Sequence, residues 1–433
     1  MPRPARLLLA GLAAALVATQ ATAAPRRDPS QPYRSLDVLA EVLAYIQNGY
    51  VDETSEKELV QAAVEGMVSR LDPHSMILRP EAYRSMRDET TGEFDGVGIE
   101  VVQVADGLVV VAPLPDSPAE RAGVLAGDRI VAVDGTPTKE MGLGEATRRM
   151  KGIAGTTVAL TIERTGQREP RVFTLVRDHV RTTSVDWRVL DPRAGTVYVR
   201  IRTFQDRTDR ELRQALDGAR KSLGGEIQGL VLDLRNNPGG LLDQAVKVAD
   251  RFLSGGVIVS TESRGKKPEV EEAHEKDTEA AYPIVLLVNR GSASASEIVA
   301  GALQDHARAV VVGTQTFGKG SVQTVVELED GSALKLTVAR YYTPKHRSIQ
   351  ERGITPDVPV AESPPPDGEP PGPAESDLRR HLVNEQPAVS PAAAGTPQTG
   401  RGGEERKGDP QLDRAVDLLR AARVFRGGAG APP

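Results

Sequence analysis

The chain has no cysteine and a single tryptophan in 433 residues. Without cysteine there are no disulfides, no thiolate nucleophile and no lipid-modified cysteine at a processed amino terminus. Aromatic residues amount to 3%, the formal net charge is −6, and no Lys/Arg stripe is interleaved with aromatics. These features give no electrostatic case for nucleic acid. The six histidines, His74, His179, His274, His306, His346 and His381, stand far apart and never in His-x-x-x-His spacing. That disfavours a zinc hydrolase, and neither a metal nor a cofactor is expected. Long apolar runs are missing too: Leu7–Ala18 is too short to cross a bilayer comfortably.

What is present begins with that short run. Arg3 and Arg6 precede it, and Ala21-Thr22-Ala23 follows as an A-x-A cleavage site. Residues 1–24 therefore read as a cleaved secretory signal, which places the protein in the periplasm or cell envelope. An uncleaved segment that keeps the protein at the membrane is the alternative.

Residues 25–90 read as a helical module, with Leu36, Leu39, Leu43 and Ile46 and then Leu59, Ala63 and Met67 at helical spacing. Their stripes are most simply packing surfaces. Over 91–178 short strands alternate with glycines: Gly96-Val97-Gly98-Ile99, Leu108–Val111, Ser117–Gly123, Gly127–Gly135 and two alternating strands. This order resembles a PDZ domain. The resemblance implies that backbone N–H groups of Gly96, Val97, Gly98 and Ile99 receive a peptide's terminal carboxylate while the peptide adds a strand to the sheet edge. The other reading of these glycines is a tight turn and nothing more.

From Val180 to Val360 strands and helices alternate as in an α/β domain. The apolar strand Gly229–Leu234 precedes Arg235-Asn236-Asn237-Pro238-Gly239-Gly240 and a helix from Leu241 to Leu253. Strands are expected at Ile284–Val288, Ala309–Val312, Val322–Leu328 and Ala333–Tyr341, and Ser263–Glu279 reads as an exposed polar insertion. Residues 363–408 have the Pro, Gly, Ala and Glu content of a flexible segment, and 409–433 hold an amphipathic helix around Leu412–Leu419.

Two patterns invite wrong chemistry. Gly313-Thr314-Gln315-Thr316-Phe317-Gly318-Lys319 opens like a phosphate-binding loop. The next residue is Gly320 where Ser or Thr would hold magnesium, and a strand-forming run follows where a helix is needed. Ser332-Ala333-Leu334-Lys335 has Ser-x-x-Lys spacing but sits in a strand with no Lys-Thr-Gly after it. A Ser-His-Asp triad fails as well, because His306 lies about three helical turns beyond the serine turn.

A strand ending at Val288, a turn of small residues carrying Ser292, Ser294 and Ser296, and a helix start remain, with Lys319 between two glycines further on. A hydroxyl at such a turn lies beside free helix-start N–H groups. A lysine of ordinary pKa near 10.4 is a base only if it is desolvated and kept from carboxylates. Lowering it by about three pH units costs roughly 4 kcal/mol, seldom carried without a function. Spacing alone also allows a surface lysine in a glycine-rich loop, and does not choose among the three serines.

Gly291–Ile298 followed by Gly318-Lys319-Gly320-Ser321-Val322-Gln323 resembles the carboxyl-terminal processing peptidases, or tail-specific proteases. Leu71-Asp72-Pro73-His74-Ser75, Gly92-Glu93-Phe94, Asp233–Gly240 and Gly353-Ile354-Thr355-Pro356-Asp357 match in family order across residues 35 to 362. The resemblance implies a multidomain α/β protein: a ClpP/crotonase-like protease core over 179–362 with an inserted PDZ domain. It makes Ser294 the nucleophile, Lys319, 25 positions later, the base, and Gln323 the residue that orients the amine. The implied oxyanion donors are the N–H groups of Gly240 and Ala295, and the implied partners are polypeptides held by their C-termini. An adaptor protein and a homo-oligomer are left open, and Arg129 is given no role. The competing readings are a catalytically silent PDZ scaffold and a Ser/Lys amidase acting on small molecules.

Overall fold

The computed structural model describes residues 34–104, 107–363, 372–386 and 408–428. The expected signal segment lies outside the described residues. The chain divides after Val64 into two compact units. The first contains helix α1 (Arg34–Gly49) and most of α2 (Glu56–Val68). Leu36 and Leu39 of its apolar stripe remain exposed.

From Glu65 on, a short strand β1 (Met76–Leu78) and helix α3 (Pro80–Thr91) lead to a pair of connecting strands. β2 (Glu93–Gly96) runs antiparallel to β9 (Asp178–Arg181), so both ends of the intervening unit enter side by side. That unit is a sheet in the order β3 (Ile99–Val104), β4 (Gly107–Pro113), β5 (Arg129–Val133), β7 (Thr157–Glu163), β8 (Arg171–Val176), with β6 (Thr136–Pro137) on β5. Helices α4 (Pro118–Arg121) and α5 (Leu143–Met150) complete it. Leu108, Ile130, Leu160, Ile162, Ala146 and Met150 form its separate core. β3 ends the sheet, so one of its edges is unpaired by strands among the described residues.

The larger layer is a sheet in the order β10 (Val185–Asp191), β11 (Thr196–Ile201), β12 (Gly229–Asp233), β15 (Ile284–Val288), β16 (Val310–Gly313), β19 (Val358–Pro359). Only the β10–β11 pairing is antiparallel. Alternate residues bury opposite faces. Leu230, Leu232, Leu286 and Val288 pack with residues of helices α6 (Thr208–Leu223), α7 (Leu242–Asp250) and α8 (Ala295–Asp305). Val231, Val285 and Leu287 pack with Ala415 and Leu419 of α9 (Pro410–Gly428). Burial on both faces is why these strands read as unbroken apolar runs.

A second sheet joins β1, β18 (Ala333–Tyr342), β13 (Gly256–Ser263) and β14 (Glu269–Ala273), with β17 (Ser321–Glu327) also on β18. The insertion expected to be exposed holds strand β14 and the turn into it, and β14 pairs with β13 from Gly256–Ala273 to Thr261–Glu269. Its mixed charges sit on a solvent-facing edge and mask the strand signal. Among the described residues no helix is long and apolar enough to cross a membrane.

Candidate active site

Parallel strands gather their carboxyl ends at one edge of a sheet, where loops from neighbouring strands meet. Here the loops after β12 and β15 are laced together. Asn236 N–H donates to Asn289 Oδ1 at 2.8 Å, and Asn289 Nδ2 returns a bond to Asn236 Oδ1 at 2.9 Å. Asn237 adds three more ties: its carbonyl accepts from Ala293 N–H at 3.0 Å and Ser296 Oγ at 2.9 Å, and its Nδ2 donates to Ile201 O at 2.9 Å.

This lacing separates the three serines. Ser292 is fully buried; its hydroxyl donates to Leu234 O and accepts from Asn289 N–H. Ser296 is equally buried and spent on Asn237. Ser294 alone of the three is partly accessible, at the N-cap of α8, with φ 54° and ψ −114°. A non-glycine residue with that backbone is strained, and such strain persists only where surrounding contacts hold it. The Ala295 N–H, at the start of α8, donates to nothing among the described residues.

The glycine pair abuts this turn, since a Cβ on Gly239 would lie 2.9 Å from Ser294 Cβ. Gly240 forms a parallel bridge with Phe204: Phe204 N–H donates to Gly239 O, and Leu241 N–H donates to Phe204 O, both at 2.9 Å. In such a bridge the flanking residues carry the bonds, so Gly240's own N–H is directed away from Phe204. It too donates to nothing among the described residues. Gly240 has φ +141°, and a Cβ there would stand 2.2 Å from Phe204 O.

Lys319 arrives on a loop between β16 and β17, and one buried carboxylate fastens that loop to the serine turn. Glu297 of α8 is completely buried. It accepts from Ser294 N–H at 2.8 Å, Thr316 Oγ1 at 2.5 Å, Gly318 N–H at 2.7 Å and Lys319 N–H at 3.0 Å. Burial pushes its pKa up to about 7, against the pull of those four donors. Ser294-Ala295-Ser296-Glu297 has capping-box spacing, a sequence signal that points to the Glu297–Ser294 bond. Nothing in the sequence signals Thr316.

The Lys319 side chain makes no ion pair among the described residues. Burial is the main cause that lowers its pKa, to about 8, and Lys335 adds to it; Glu375, Glu297 and Asp72 oppose. Lys335, from the dismissed Ser-x-x-Lys pattern, is thus part of the electrostatic surroundings, while Ser332 Oγ is held by Asp330. Tyr341, also unforeseen, donates its hydroxyl to Lys319 O, and the Ser294 hydroxyl faces the same phenol. Burial raises the Tyr341 pKa well above its ordinary value.

Gln323 sits on β17, where its Nε2 donates to Ser321 Oγ at 3.0 Å and Thr337 Oγ1 at 3.2 Å. No bond joins it to Lys319 among the described residues. His306 is engaged elsewhere, on Val257 O.

At the entry to the β3–β8 unit, Gly96 ends β2, and Val97 and Gly98 form the loop into β3. Their carbonyls are anchored: Val97 O accepts from Ala119 N–H, and Gly98 O from Leu114 N–H and Ser117 Oγ. The Gly98 N–H donates to nothing among the described residues, whereas the antiparallel bridge of Gly96 with Lys151, with Gly152 N–H on Asp95 O, turns the Val97 N–H toward Met150 O. Ile99 begins β3 opposite Pro113. No group of His, Cys, Asp or Glu among the described residues is arranged to hold a metal ion.

Comparison with known proteins agrees with this architecture. The model of peptidase family S41 matches residues 195–360, and that of the PDZ domain matches residues 109–164. The chain is 43% identical over 396 residues to a carboxy-terminal-processing protease of Bartonella bacilliformis, covering 90% of this chain and 89% of that one. A carboxyl-terminal-processing protease of Picosynechococcus sp. is 39% identical over 352 residues, covering 76% and 84%. A solved photosystem II D1 C-terminal processing protease is 34% identical with a TM-score of 0.45, covering 76% of this chain and 93% of that one. With its α/β fold and PDZ domain, the chain belongs to the carboxyl-terminal-processing proteases of peptidase family S41 and is a serine peptidase.

Proposed function

We propose that this peptidase cleaves polypeptides near their C-termini through a Ser294–Lys319 dyad. The observation that carries the reading is the contrast among the serines: Ser292 and Ser296 are buried and committed to backbone partners, whereas Ser294 is strained and accessible. Lys319 supports it, being buried, lowered to about 8 and free of an ion pair among the described residues. At neutral pH a useful minority of such lysines is uncharged, and a base with pKa near the working pH transfers protons well.

The mechanism is acyl transfer. Neutral Lys319 takes the Ser294 proton as Oγ attacks the peptide carbonyl carbon. The oxygen that becomes negative is received by the N–H groups of Gly240 and Ala295. Lys319 then passes its proton to the departing amine, the C–N bond breaks, and an ester to Ser294 remains. Water, deprotonated by Lys319, hydrolyses the ester and restores both residues. Gln323 serves by orienting the lysine amine, a role that requires its amide oxygen to turn toward Nζ.

Substrate arrives by its C-terminus. A layout of PDZ domain over 91–178 and protease core over 179–362 puts the Gly96–Ile99 loop and the β3 edge in charge of capture. The Gly98 N–H, without a partner among the described residues, suits a carboxylate, and the β3 edge suits an added strand. The amino-terminal segment fits export to the periplasm or envelope.

The test is cleavage of an unfolded protein by single variants. Ser294→Ala and Lys319→Ala each lose at least about 1000-fold in kcat, while Ser292→Ala and Ser296→Ala keep catalysis in the fraction that folds. Cleavage retained by Ser294→Ala overturns the assignment, and cleavage retained by Lys319→Ala removes the lysine as base.

A further inference from the structure

Residues 372–386 lie in the stretch whose composition reads as a flexible segment, yet they form a strap packed against the loop that carries Lys319. Arg290 holds its start through Gly372 O and Asp377. Glu351 accepts from Asn384 N–H at 2.8 Å, and Ser348 N–H donates to Gln386 Oε1 at 2.9 Å. Between these anchors the strap delivers Glu375, whose side chain is wholly buried.

Glu375 reaches both flanks of Lys319. Its N–H donates to Phe317 O at 3.0 Å. Its Oε1 accepts from Gln350 Nε2 at 2.8 Å, and Gln350 Oε1 in turn accepts from Gly320 N–H at 3.0 Å. Its Oε2 meets His74 Nε2 at 2.8 Å. His74 is fixed by Asp72, which accepts its N–H at 2.9 Å and the Thr337 hydroxyl at 3.0 Å. Two segments far apart in sequence, those of His74 and Gln350, thus converge on one carboxylate beside the lysine loop.

Burying a carboxylate is costly, and a neutral amide could make much the same bonds. The choice of Glu beside a lysine that must shed its proton is therefore informative. We propose that Glu375, delivered by the 372–386 strap and braced by His74 and Gln350, is a positioning residue for Lys319. It holds the Phe317–Gly320 loop from outside, and its negative charge keeps the amine basic enough to accept the serine proton.

The charges that face Lys319 come from four elements: Glu297 of α8, Lys335 of β18, Asp72 of the loop before β1, and Glu375 of the strap. The Tyr341 phenol of β18 also lies close. Around Glu375 itself stand His74, His381 and Tyr341. Burial and Lys335 pull the amine toward neutrality, and the three carboxylates pull back. Removing one carboxylate while keeping its shape makes Lys319 easier to deprotonate, so the acid limb of activity moves to lower pH.

The experiment measures kcat and KM against pH for the full chain on a peptide with a free C-terminus, with Glu375→Gln, Glu375→Ala and Lys319→Ala in parallel. In Glu375→Gln the amide can accept from Gln350 and donate to His74. Its acid limb is expected about half a pH unit or more below the parent's. Well above the limb, its kcat should stay within about threefold of the parent and its KM within about twofold, since the bonding pattern survives. Glu375→Ala, which lacks that pattern, should lose about tenfold or more in kcat at unchanged KM, per folded molecule. A Glu375→Gln limb that superimposes on the parent's overturns the inference, and that variant decides the matter if Glu375→Ala does not fold. The inference rests on Lys319 as base. An active Lys319→Ala removes that reading, whereas an inactive Lys319→Ala with an unmoved Glu375→Gln limb removes the inference alone.

Discussion

The proposed catalytic centre and the loop proposed to capture chain ends are both built on backbone N–H groups, yet they are held in different ways. Around Ser294 and Lys319 the backbone is clamped by buried side chains: Asn237 and Glu297 on one side, Gln350 and Glu375 on the other. The Gly96–Ile99 loop rests mainly on backbone partners, with Ser117 the one side chain that bonds it among the described residues. Beyond it the β3 edge carries no further strand among the described residues. The proton transfer and oxyanion binding proposed for this centre need atoms fixed to a fraction of an ångström, which the clamped side supplies. Capture of varied chain ends needs only main-chain donors and an open edge, and tolerates looser support.

The largest effect should come from disturbing the clamped side by one methyl group. In Gly240→Ala the new Cβ would stand 2.2 Å from Phe204 O at φ +141°, so the N–H proposed as an oxyanion donor must move. A loss of about 100- to 1000-fold in kcat with little change in KM is expected. A smaller loss, measured on protein whose melting curve matches the parent's, breaks the claim that this N–H is an oxyanion donor.

Next comes Glu297→Gln. The amide keeps the volume but brings a donor into a ring of four donors. At least one buried N–H or hydroxyl is left unmatched, which costs about 1–3 kcal/mol of stability. Both reactive residues shift with it, so kcat should fall about 10- to 100-fold. Denaturant unfolding and steady-state kinetics on one preparation check both numbers. Stability lost with kcat intact would mean that Glu297 supports the fold and not the chemistry.

The lysine gives a signature in pH. Its pKa is about 8 in the folded chain, mainly through burial, against about 10.5 in a free side chain. Activity should therefore rise with pH through about 8. The effect on stability has a definite sign. Between about 8 and 10.5 the unfolded chain binds the proton and the folded one does not, so Lys319 destabilises the fold less as pH rises. Below that window the whole cost is present. Lys319→Met should abolish cleavage yet be more stable than the parent at pH 7 by about 3 kcal/mol, with the gap closing toward pH 10.5. Thermal unfolding of both proteins across that range measures it, and a gap independent of pH would sink the account.

The same contrast decides what could be read from sequence. Strands buried on both faces leave apolar runs such as Leu230–Leu232 and Ile284–Val288, and these were legible. So were the glycine-punctuated loop, the serine turn and Lys319. The bracing was less so. Glu297 carries a local signal, its capping-box spacing, but its bonds to Thr316, Gly318 and Lys319 join residues about twenty positions apart. Glu375 is hidden further: it lies in a Pro/Gly-rich stretch and meets His74 across 301 positions. Composition reports average hydrophobicity, and one buried carboxylate with two remote partners leaves no trace in it. The β13–β14 hairpin escaped for a related reason, because Glu269, Glu271 and Glu272 on its outer strand mask the alternation.

The smallest effect belongs to the looser side and concerns binding alone. Gly98 has φ +71°, and a Cβ there would stand 2.3 Å from Ser117 Cβ, so Gly98→Ala displaces the loop that offers the Gly98 N–H group. If that loop captures a carboxylate, KM for a substrate with a free C-terminus rises about five- to tenfold, the scale of about 1 kcal/mol of binding. The kcat should not change, because the dyad is braced by other residues. A substrate with an amidated C-terminus supplies the matching control. The parent should already bind it as weakly as Gly98→Ala binds the free acid, and the substitution should weaken it no further. Equal KM for acid and amide in the parent breaks the carboxylate reading, and a loss of kcat in Gly98→Ala would show that the two regions are less independent than their supports imply.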